Sequence, residues 1–551
     1  MNGVAACKRA ILSSVFVASG LNQLDLLEKA ENRQLFSETS PCKSDRRTNM
    51  SFQRASGVLL HPTSLPSRFG IGDLGQAAYA FVDFLAKSGQ TLWQVLPLGP
   101  TGYEHSPYIM NFSTFAGNPL LIDLEQLAAD GLLDSNALTP LTDVDVEKVD
   151  FEKVIAHKIH LLKQAHERFL TARSPDQEAK FAQFCQEQAS WLDDFVLFMA
   201  LLEANGGKSW HQWERAIARR EPDAIKAQTE ALQASIQYQQ FIQFKFFEQW
   251  QKLRQYANDK NIKIIGDISI YVCHNSSDVW ADPELFKLDP NTFEPAFIAG
   301  VPPDYFSATG QLWGNPVYNW EQAQKTDFAW WIKRFQVTLQ YVDIVRVDHF
   351  RGFEAYWQVP AGEETAINGE WIEAPGEQFF TALEKALGTL PILAEDLGII
   401  TPPVEALRDR FDFPGMRILM FAFGDDANNA YLPHNYVRNT VVYPGTHDND
   451  TAIGWWQQAS ATEKQFLAQY LGYDSPDAIK DINWLLIRTA LASVADLAII
   501  PLQDLLDLDG RSRMNDPSYN AGNWRWRYRS SDLLTQELSD RLLALTQLYS
   551  R

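Results

Sequence analysis

Cysteine is scarce in this sequence of 551 residues. The four cysteines show no Cys-x-x-Cys pair and no spacing typical of metal ligands: Cys7, Cys42, Cys185 and Cys273. Their scatter excludes a thiolate zinc site and argues against a disulfide framework. Because such sparse use of cysteine fits a reducing compartment, we expect a cytoplasmic protein.

Long apolar runs are also missing, so no segment is expected to cross a bilayer. The stretch AILSSVFVASG near the N-terminus has some features of a signal peptide, but it is short and acidic residues follow it closely. We instead expect residues 1–49 to be a poorly ordered extension, with the folded protein beginning at Met50.

Basic residues are outnumbered, with 48 Lys and Arg against 69 Asp and Glu and a net charge of −21. No local basic patch compensates, which argues against partners such as nucleic acid or an anionic membrane surface. What the chain does contain is apolar and aromatic residues, at 46% and 12%. This composition is typical of a globular protein with a large core.

Eight short runs of branched apolar residues are predicted to be buried strands. They are GVLLHP, TLWQVLPLG, KIIGDISIYV, VDIVRVD, LPILAEDLG, GMRILMFAF, TVVYPGTHD and DLAIIPLQDLL, beginning at Gly57, Thr91, Lys263, Val342, Leu390, Gly415, Thr440 and Asp496. Helix-like stretches lie between most of them, which favours an α/β fold of the (β/α)8 barrel type. The alternative is an open doubly wound sheet, but no G-x-G-x-x-G or P-loop follows any strand.

The spacing of the strands predicts two insertions within a catalytic barrel of residues 50–551. A mainly helical insertion is expected at about residues 125–260, where Gln, Ala, Leu and Lys recur at amphipathic spacing. A second insertion, at about residues 286–320, is rich in Pro, Asp, Gly and aromatic residues. That composition is typical of an ordered loop over a functional site.

Four acidic residues stand at or just beyond the ends of predicted strands: Asp267, Asp348, Glu395 and Asp448. A single acid in this position is more often a helix cap or turn residue. Because the carboxyl ends of parallel barrel strands meet at one face, four of them together indicate a carboxylate-lined active site.

Two of these acids suit a retaining glycosidase, in which one carboxylate is the nucleophile and a second carboxyl group is the acid and base. Arg346 shares a strand face with Asp348 and should keep it ionised. Glu395 shares a face with Leu393, so a drier setting would favour its protonated form. Asp267 and the pair His447 and Asp448 would bind sugar hydroxyls and stabilise positive charge on the ring.

Other residues near these strands have a structural interpretation as well. His349 follows Asp348 but faces the other way, and His447 can also be a buried core histidine. The tryptophans Trp93, Trp313, Trp320 and Trp357 can all belong to the core. Trp313 is the best candidate for stacking on a sugar, because it lies in a loop rich in Gly, Pro and Asn.

Several long motifs, in this order along the chain, resemble the amylomaltases, the 4-α-glucanotransferases or disproportionating enzymes of glycoside hydrolase family 77. They are HPTSLPSRFGIGDLG, WQVLPLGPTGY, FAGNPLLIDL, GVPPDYFSATGQLWGNP, VRVDHFRGFEAYW, LAEDLG, LPHNY and GTHDND. The resemblance covers about residues 52–527. It implies a barrel of the α-amylase clan with large, mainly helical insertions and without a C-terminal β domain.

The resemblance also implies roles for individual residues. Asp348 would be the nucleophile, Glu395 the acid and base, and Asp448 the third carboxylate. The substrate contacts implied on the donor side are Arg346, Asp267, His447 and His61, those on the loop covering the acceptor side are Tyr305, Phe306, Trp313 and Asn315, and the aromatic glucan contacts are Tyr103 and Tyr108. No metal or organic cofactor is implied.

The implied reaction is the transfer of α-1,4-glucan segments from one glucan to another. The implied binding partners are its substrates, namely maltooligosaccharides, amylose, glycogen or starch chains, with glucose as an acceptor. The protein is expected to be a monomer or a weak homo-oligomer. An α-1,4-glucan hydrolase on the same barrel and a noncatalytic glucan-binding protein are the alternatives. The sequence departs from the family pattern at Ile109–Asn111, Ser269, Asn275 and Asn515–Trp524, and none of these changes is expected to touch the three carboxylates.

Overall fold

The computed structural model describes residues 52–101, 105–108, 112–303, 307–519 and 521–551. The expected N-terminal extension, residues 1–49, lies outside the described residues. Of the predicted site residues, Tyr103, Tyr305 and Phe306 also lie outside them, as does the departure at Ile109–Asn111.

Twelve strands form two sheets within the described part of the chain. In chain order they are β1 (Ala55–Leu59), β2 (Leu92–Gln94), β3 (Lys263–Ile268), β4 (Phe297–Val301), β5 (Gln311–Pro316), β6 (Ile344–Val347), β7 (Ala355–Pro360), β8 (Glu370–Glu373), β9 (Ile392–Ala394), β10 (Gly415–Ile418), β11 (Thr440–Tyr443) and β12 (Leu497–Pro501).

Eight of these strands form a parallel barrel in the order β10-β11-β12-β1-β2-β3-β6-β9. The N–H of Ala394 donates to the carbonyl of Pro414 at 2.9 Å, which joins β9 to the residue before β10 and closes the ring. Each predicted strand segment overlaps one of the eight, so the (β/α)8 prediction is confirmed. The runs were recognisable because barrel strands are buried on both faces, as in β12, where every residue is buried.

Helices connect the strands. In chain order they are α1 (Gln76–Lys87), α2 (Leu124–Ala129), α3 (Phe151–Ala172), α4 (Pro175–Ala204), α5 (Arg215–Ala218), α6 (Pro222–Ala231), α7 (Gln233–Asp259), α8 (Ser277–Ala281), α9 (Trp320–Lys325), α10 (Ala329–Tyr341), α11 (Gly376–Leu387), α12 (Pro402–Arg410), α13 (Ala452–Gln458), α14 (Ala461–Tyr470), α15 (Ile482–Ala492), α16 (Leu502–Leu505) and α17 (Gln536–Leu548). No helix in the described ranges is long and apolar enough to span a membrane.

Six of the helices, α2 to α7, lie between β2 and β3. The longest of them, α4, begins with a capping box between Ser174 and Gln177 and has Pro175 in its first turn, which together fix its start. A buried lysine on α3 ties this group of helices to the barrel. Lys158 donates to the carbonyl of Leu120 at 2.7 Å and lies 3.9 Å from the carboxylate of Asp73.

The second sheet is antiparallel, in the order β5-β4-β7-β8. Two of its strands, β4 and β5, form within the segment expected to be an ordered loop over the site. The sequence did not indicate these strands, because Gly and Pro interrupt them and β4 pairs with β7 across more than 50 residues of chain. Beyond β12, the described residues form helices and turns and contain no strand.

Candidate active site

The four acids expected at strand ends all lie at the carboxyl ends of barrel strands. Asp267 is the penultimate residue of β3, Asp348 and Glu395 directly follow β6 and β9, and Asp448 lies in the loop after β11. In the strand register, Asp267 is level with Arg346 and Arg346 is level with Leu393. The barrel therefore presents these side chains on the face where enzymes of this fold carry their active sites.

A buried guanidinium links two of the carboxylates. Arg346 is 3% exposed and reaches Asp267 Oδ2 at 2.7 Å with one nitrogen and Asp348 Oδ1 at 3.1 Å with the other. The hydroxyl of Tyr108 also donates to Asp267 Oδ2, at 2.9 Å. These charge-assisted contacts fix the orientation of Asp348 from below.

The pKa of Asp348 reflects two opposing influences. Burial in the cleft raises it to about 6, Arg346 lowers it, and the carboxylates of Asp267 and Asp448 raise it. From the sequence we expected Arg346 to dominate the pKa of Asp348. In the structure the raising effect of burial is larger than the lowering effect of Arg346. However, 26% of the Asp348 side chain is exposed, so solvent limits this effect, and Asp348 is predominantly ionised at neutral pH.

Glu395 is the more deeply buried partner, at 9% exposure. Its Oε2 accepts from the backbone N–H of His349 at 2.6 Å and its Oε1 from that of Leu397 at 2.9 Å. Burial raises the pKa of Glu395 to about 8, and the neighbouring Asp348 charge adds to this, against the lowering effects of Arg346 and the two N–H groups. At neutral pH Glu395 therefore holds a proton while Asp348 does not.

The residue between the two acids in this network is His349, which has a left-handed backbone (φ 48°). This conformation is uncommon for a residue with a side chain, and it accompanies the hydrogen bond from the His349 N–H to Glu395. Burial lowers the pKa of the imidazole to about 3, so the ring is neutral. His349 thus connects nucleophile and acid through its backbone, while its ring packs edge to face on Trp313 at 4.9 Å.

The third carboxylate, Asp448, has a different environment. His447 Nε2 lies 3.3 Å from its Oδ2, and the side-chain amide of Asn515 donates to its Oδ1 at 2.6 Å. Burial raises the pKa of Asp448, but His447 and Asn515 more than offset this and hold it well below its usual range. Asp448 is therefore an anion throughout the pH range in which Asp348 and Glu395 titrate.

Aromatic rings form the wall behind this carboxylate. Tyr108 stacks on His447 with ring centroids 5.1 Å apart, and Trp524 packs against both rings at 5.7 and 5.8 Å. His61, in the turn after β1, is buried, and burial together with the nearby His447 lowers its pKa to about 3. His61 is therefore a neutral hydrogen-bonding group.

Two predicted residues on β5 have contrasting positions. Trp313 is half-buried and contacts His349, which places it beside the residue that follows the nucleophile. Asn315 is 4% exposed, and its amide donates to the carbonyl of Val272 at 2.8 Å. In this structure Asn315 holds the β4–β5 hairpin to the loop after β3. Of the other tryptophans, Trp93 and Trp320 are core residues.

A mostly apolar cavity of about 60 Å³ adjoins the cleft between β3 and helices α7 and α10. Asp267 and Tyr108 line it, but Asp348 and Glu395 do not. Because the acids with shifted pKa values lie outside this cavity, we assign the chemistry to the carboxylate cleft beside it. Within the described residues, no group of three or more His, Cys, Asp or Glu side chains is placed to hold a metal ion.

Residues 513–516 contribute to the site although sequence reasoning missed them. We expected the departures from the family pattern, including Asn515–Trp524, to leave the three carboxylates untouched, and the contact between Asn515 and Asp448 shows that this was wrong. The two residues are 67 positions apart, and no strand or helix period connects them. The only available signal was the density of Asn and Asp in a loop after the last barrel strand.

Comparison with known proteins is consistent across sequence and structure. The sequence profile of one family, described as 4-alpha-glucanotransferase, matches residues 60–534. A 4-alpha-glucanotransferase from Synechocystis is 56% identical over 501 residues, covering 91% of this chain and 98% of its own. One from Thermus thermophilus is 46% identical over 509 residues, covering 91% and 100%.

A solved structure extends the comparison to three dimensions. The amylomaltase from Streptococcus agalactiae in complex with acarbose superimposes with a TM-score of 0.87 at 42% sequence identity, covering 91% of this chain and 100% of that one.

Proposed function

Because the chain belongs to glycoside hydrolase family 77, the 4-alpha-glucanotransferases, we propose that its three carboxylates transfer α-1,4-glucan segments by a retaining double displacement. The observation that carries this mechanism is the placement of two carboxyl groups at the ends of the adjacent strands β6 and β9, with Arg346 in contact with Asp348 and two backbone N–H groups on Glu395. A retaining enzyme needs one ionised and one protonated carboxyl group before its first step. Burial supports this assignment, because it raises the pKa of Glu395 to about 8 and that of Asp348 only to about 6.

In the first step, Asp348 attacks the anomeric carbon of a glucosyl unit from the face opposite the leaving group. Glu395 gives its proton to the departing 4-oxygen, so that the reducing-end segment leaves as a neutral alcohol. The product is a β-linked glycosyl-enzyme on Asp348. Loss of the Glu395 proton leaves a carboxylate that its two backbone N–H donors stabilise.

In the second step, Glu395 takes a proton from the 4-hydroxyl of an acceptor glucan or of glucose. The acceptor oxygen then attacks the anomeric carbon, the bond to Asp348 breaks, and the α-1,4 linkage forms again with net retention. Two inversions at one carbon therefore redistribute chain lengths without net hydrolysis.

The remaining residues have supporting roles in this proposal. Asp448, held as an anion by His447 and Asn515, would bind hydroxyls of the donor sugar and stabilise the positive charge that develops on its ring. Arg346 and Asp267 orient Asp348 from below. Trp313 would offer an aromatic face on the covering hairpin.

Maltotriose supplied as the sole substrate tests the function directly. Separation of the products by size over time is expected to show glucose together with a ladder of longer maltodextrins, with the total number of reducing ends constant. Glucose and maltose alone, with rising reducing ends, would mean that water is the acceptor. The Asp348→Asn variant is the control, and we expect it to show neither pattern while remaining folded.

The cytoplasmic location, the use of glucose as an acceptor and the monomeric or weakly associated state stay predictions. The location is supported by the sparse cysteines, of which Cys185 and Cys273 are free thiols. Cell fractionation, inclusion of labelled glucose in the maltotriose reaction, and light scattering of the purified protein test them in turn.

A further inference from the structure

The orientation of the third carboxylate depends on the segment Arg513–Asp516, which follows the last barrel strand. Asn515 donates its side-chain amide to Asp448 Oδ1 at 2.6 Å. Arg513 donates to the backbone carbonyl of Asp448, also at 2.6 Å, and the N–H of Asn515 donates to the carbonyl of His447 at 3.1 Å. Both the backbone and the side chain of Asp448 are thus held from the same segment.

This segment is itself fixed, so that it can act as a support. The guanidinium of Arg513 donates to the carbonyl of Asn515 at 2.6 Å and pairs with Asp516 at 3.0 Å. The Asp516 N–H donates to the side chain of Asn523 at 2.9 Å, which closes the loop on itself. The Asn515 amide therefore approaches Asp448 from a preorganised backbone.

We propose that Asn515 is a positioning residue for the transfer reaction: its amide holds Oδ1 of Asp448 while His447 contacts Oδ2, so that the carboxylate cannot rotate away from the donor sugar. This inference rests on the proposed function, because it assumes that Asp448 contacts the donor. Asn515 is suited to this task since its amide N–H is a neutral donor at every pH, whereas an acid at the same position would donate only when protonated.

Several titratable or charged groups face Asp448 from the elements around it: His447 on its own loop, Arg346 and Asp348 at the end of β6, Tyr108 in the loop after β2, and Arg513. None of them reaches Asp448 Oδ1 in place of the Asn515 amide among the hydrogen bonds of the described residues. Removal of the amide would therefore leave Oδ1 without that donor.

Two substitutions separate positioning from simple loop integrity. Asn515→Ala removes the donor at all pH values, and we expect it to lower kcat/KM for maltotriose about 10- to 100-fold, as is typical for a lost hydrogen bond to a charged group. Asn515→Asp introduces a carboxyl group about 2.6 Å from Asp448, and two carboxyl groups this close share a proton, so that the pKa of one is strongly raised. When that proton is present, the new O–H can donate to Asp448 as the amide did.

The prediction is a pH-dependent rescue. The kcat/KM of each variant is compared with that of wild type at the same pH. At pH 8, where the two anions repel each other, Asn515→Asp should have no higher kcat/KM than Asn515→Ala. Near pH 5 its kcat/KM should exceed that of Asn515→Ala by about 10-fold. Consumption of maltotriose is measured, so the result does not depend on whether a sugar or water is the acceptor. Failure of the proposed transfer would instead appear in the products of the wild-type enzyme.

Asp509→Ala is the matched control, because it removes a side-chain cap from the turn just before Arg513–Asp516 and touches neither Asn515 nor the contacts that hold it. We expect it to lower the melting temperature as much as Asn515→Ala does but to keep kcat/KM within about 3-fold of wild type. Calorimetric titration with acarbose gives a second readout that needs no turnover, and Asn515→Ala should bind it at least about 10-fold more weakly than Asp509→Ala. The inference is overturned if the two alanine variants lose equal activity, or if Asn515→Asp and Asn515→Ala keep a constant ratio from pH 5 to pH 8.

Discussion

The two sides of the cleft shift the pKa values of their carboxyl groups in opposite directions. On the β6–β9 side, Asp348 and Glu395 have raised pKa values, whereas Asp448 on the β11 side has a lowered one. Burial acts in the same direction on all three. The difference comes from the neighbours, since Glu395 lies beside the charge of Asp348 and Asp448 lies between the donors His447 and Asn515. The site thus obtains one proton donor and two anions from three similar groups.

The largest expected effect comes from removing the proton donor on the β6–β9 side. Glu395→Gln should lower kcat for maltotriose about 10²- to 10⁴-fold, which is the usual contribution of general acid–base catalysis. Formation of the glycosyl-enzyme from α-glucosyl fluoride should be affected much less, because fluoride leaves without protonation. The exposed Glu405→Gln is a matched control that should keep wild-type kinetics. Full maltotriose activity in Glu395→Gln would contradict the assignment.

A smaller loss is expected when the cation between Asp267 and Asp348 is removed. Arg346→Met should lower kcat/KM about 100-fold, because hydrogen bonds to two charged groups are lost. Arg346 lowers the pKa of both Asp348 and Glu395, so its removal should shift both limbs of the pH profile to higher pH.

The control for this variant is Arg254→Met, which breaks an ion pair with Asp343 just before the start of the same strand. Arg254→Met is expected to lower stability but to leave both limbs of the pH profile unshifted. If Arg346→Met gave an unshifted profile, the guanidinium would not be controlling the two acids.

The wild-type enzyme should show a bell-shaped dependence of kcat/KM on pH, with limbs near pH 6 and pH 8. Below the acid limb Asp348 gains a proton and ceases to be a nucleophile. Above the alkaline limb Glu395 loses the proton that the leaving group needs. Activity should therefore fall about 10-fold for each pH unit beyond a limb. Initial rates from pH 4.5 to 9.5 test this, and a flat profile between pH 5 and pH 9 would refute the proton division.

The smallest effect concerns stability. It tests whether hydrogen-bond donors, and not the position on the β11 side, decide the direction in which the pKa of a carboxyl group is shifted. Asp504 supports this side by accepting from the N–H of Ala452 at 2.8 Å, but its other oxygen has no partner among the described residues. Burial raises its pKa to about 7. A carboxyl group with a raised folded-state pKa contributes stability at low pH that is lost as pH rises towards that value.

Asp504→Asn keeps an acceptor for the Ala452 N–H and cannot ionise. We expect its melting temperature to exceed that of wild type by about 2 °C at pH 8 and to match it near pH 4. Scanning calorimetry at the two pH values measures the difference. If the difference in melting temperature did not increase from pH 4 to pH 8, ionisation of Asp504 would not destabilise the folded protein.

The sequence predicted the barrel and its four acids well because both depend on local patterns. Strands buried on two faces are continuous apolar runs, and an acid at the end of such a run is visible without knowledge of the fold. The resemblance to the family then suggested which acid does what. It could not give the balance at Asp348, where burial outweighs Arg346, because burial depends on the whole cleft.

Two features were beyond prediction because they form between distant segments. Strands β4 and β5 are interrupted by Gly and Pro, and they become strands by pairing with β7 and with each other. The Asn515 amide meets Asp448 only because the loops after β11 and β12 are neighbours at the top of the barrel. Neither contact has a sequence period.

The central claim, that Asp348 is the nucleophile of a retaining transfer, is tested most directly by trapping the glycosyl-enzyme. Glu395→Gln is mixed with α-glucosyl fluoride without an acceptor, digested with protease at low pH, and the peptides are analysed by mass spectrometry. We predict a glucosyl group on Asp348, removed when maltose is added before digestion. A label on Asp448 or Asp267, or no covalent adduct while the donor is consumed, would contradict the account.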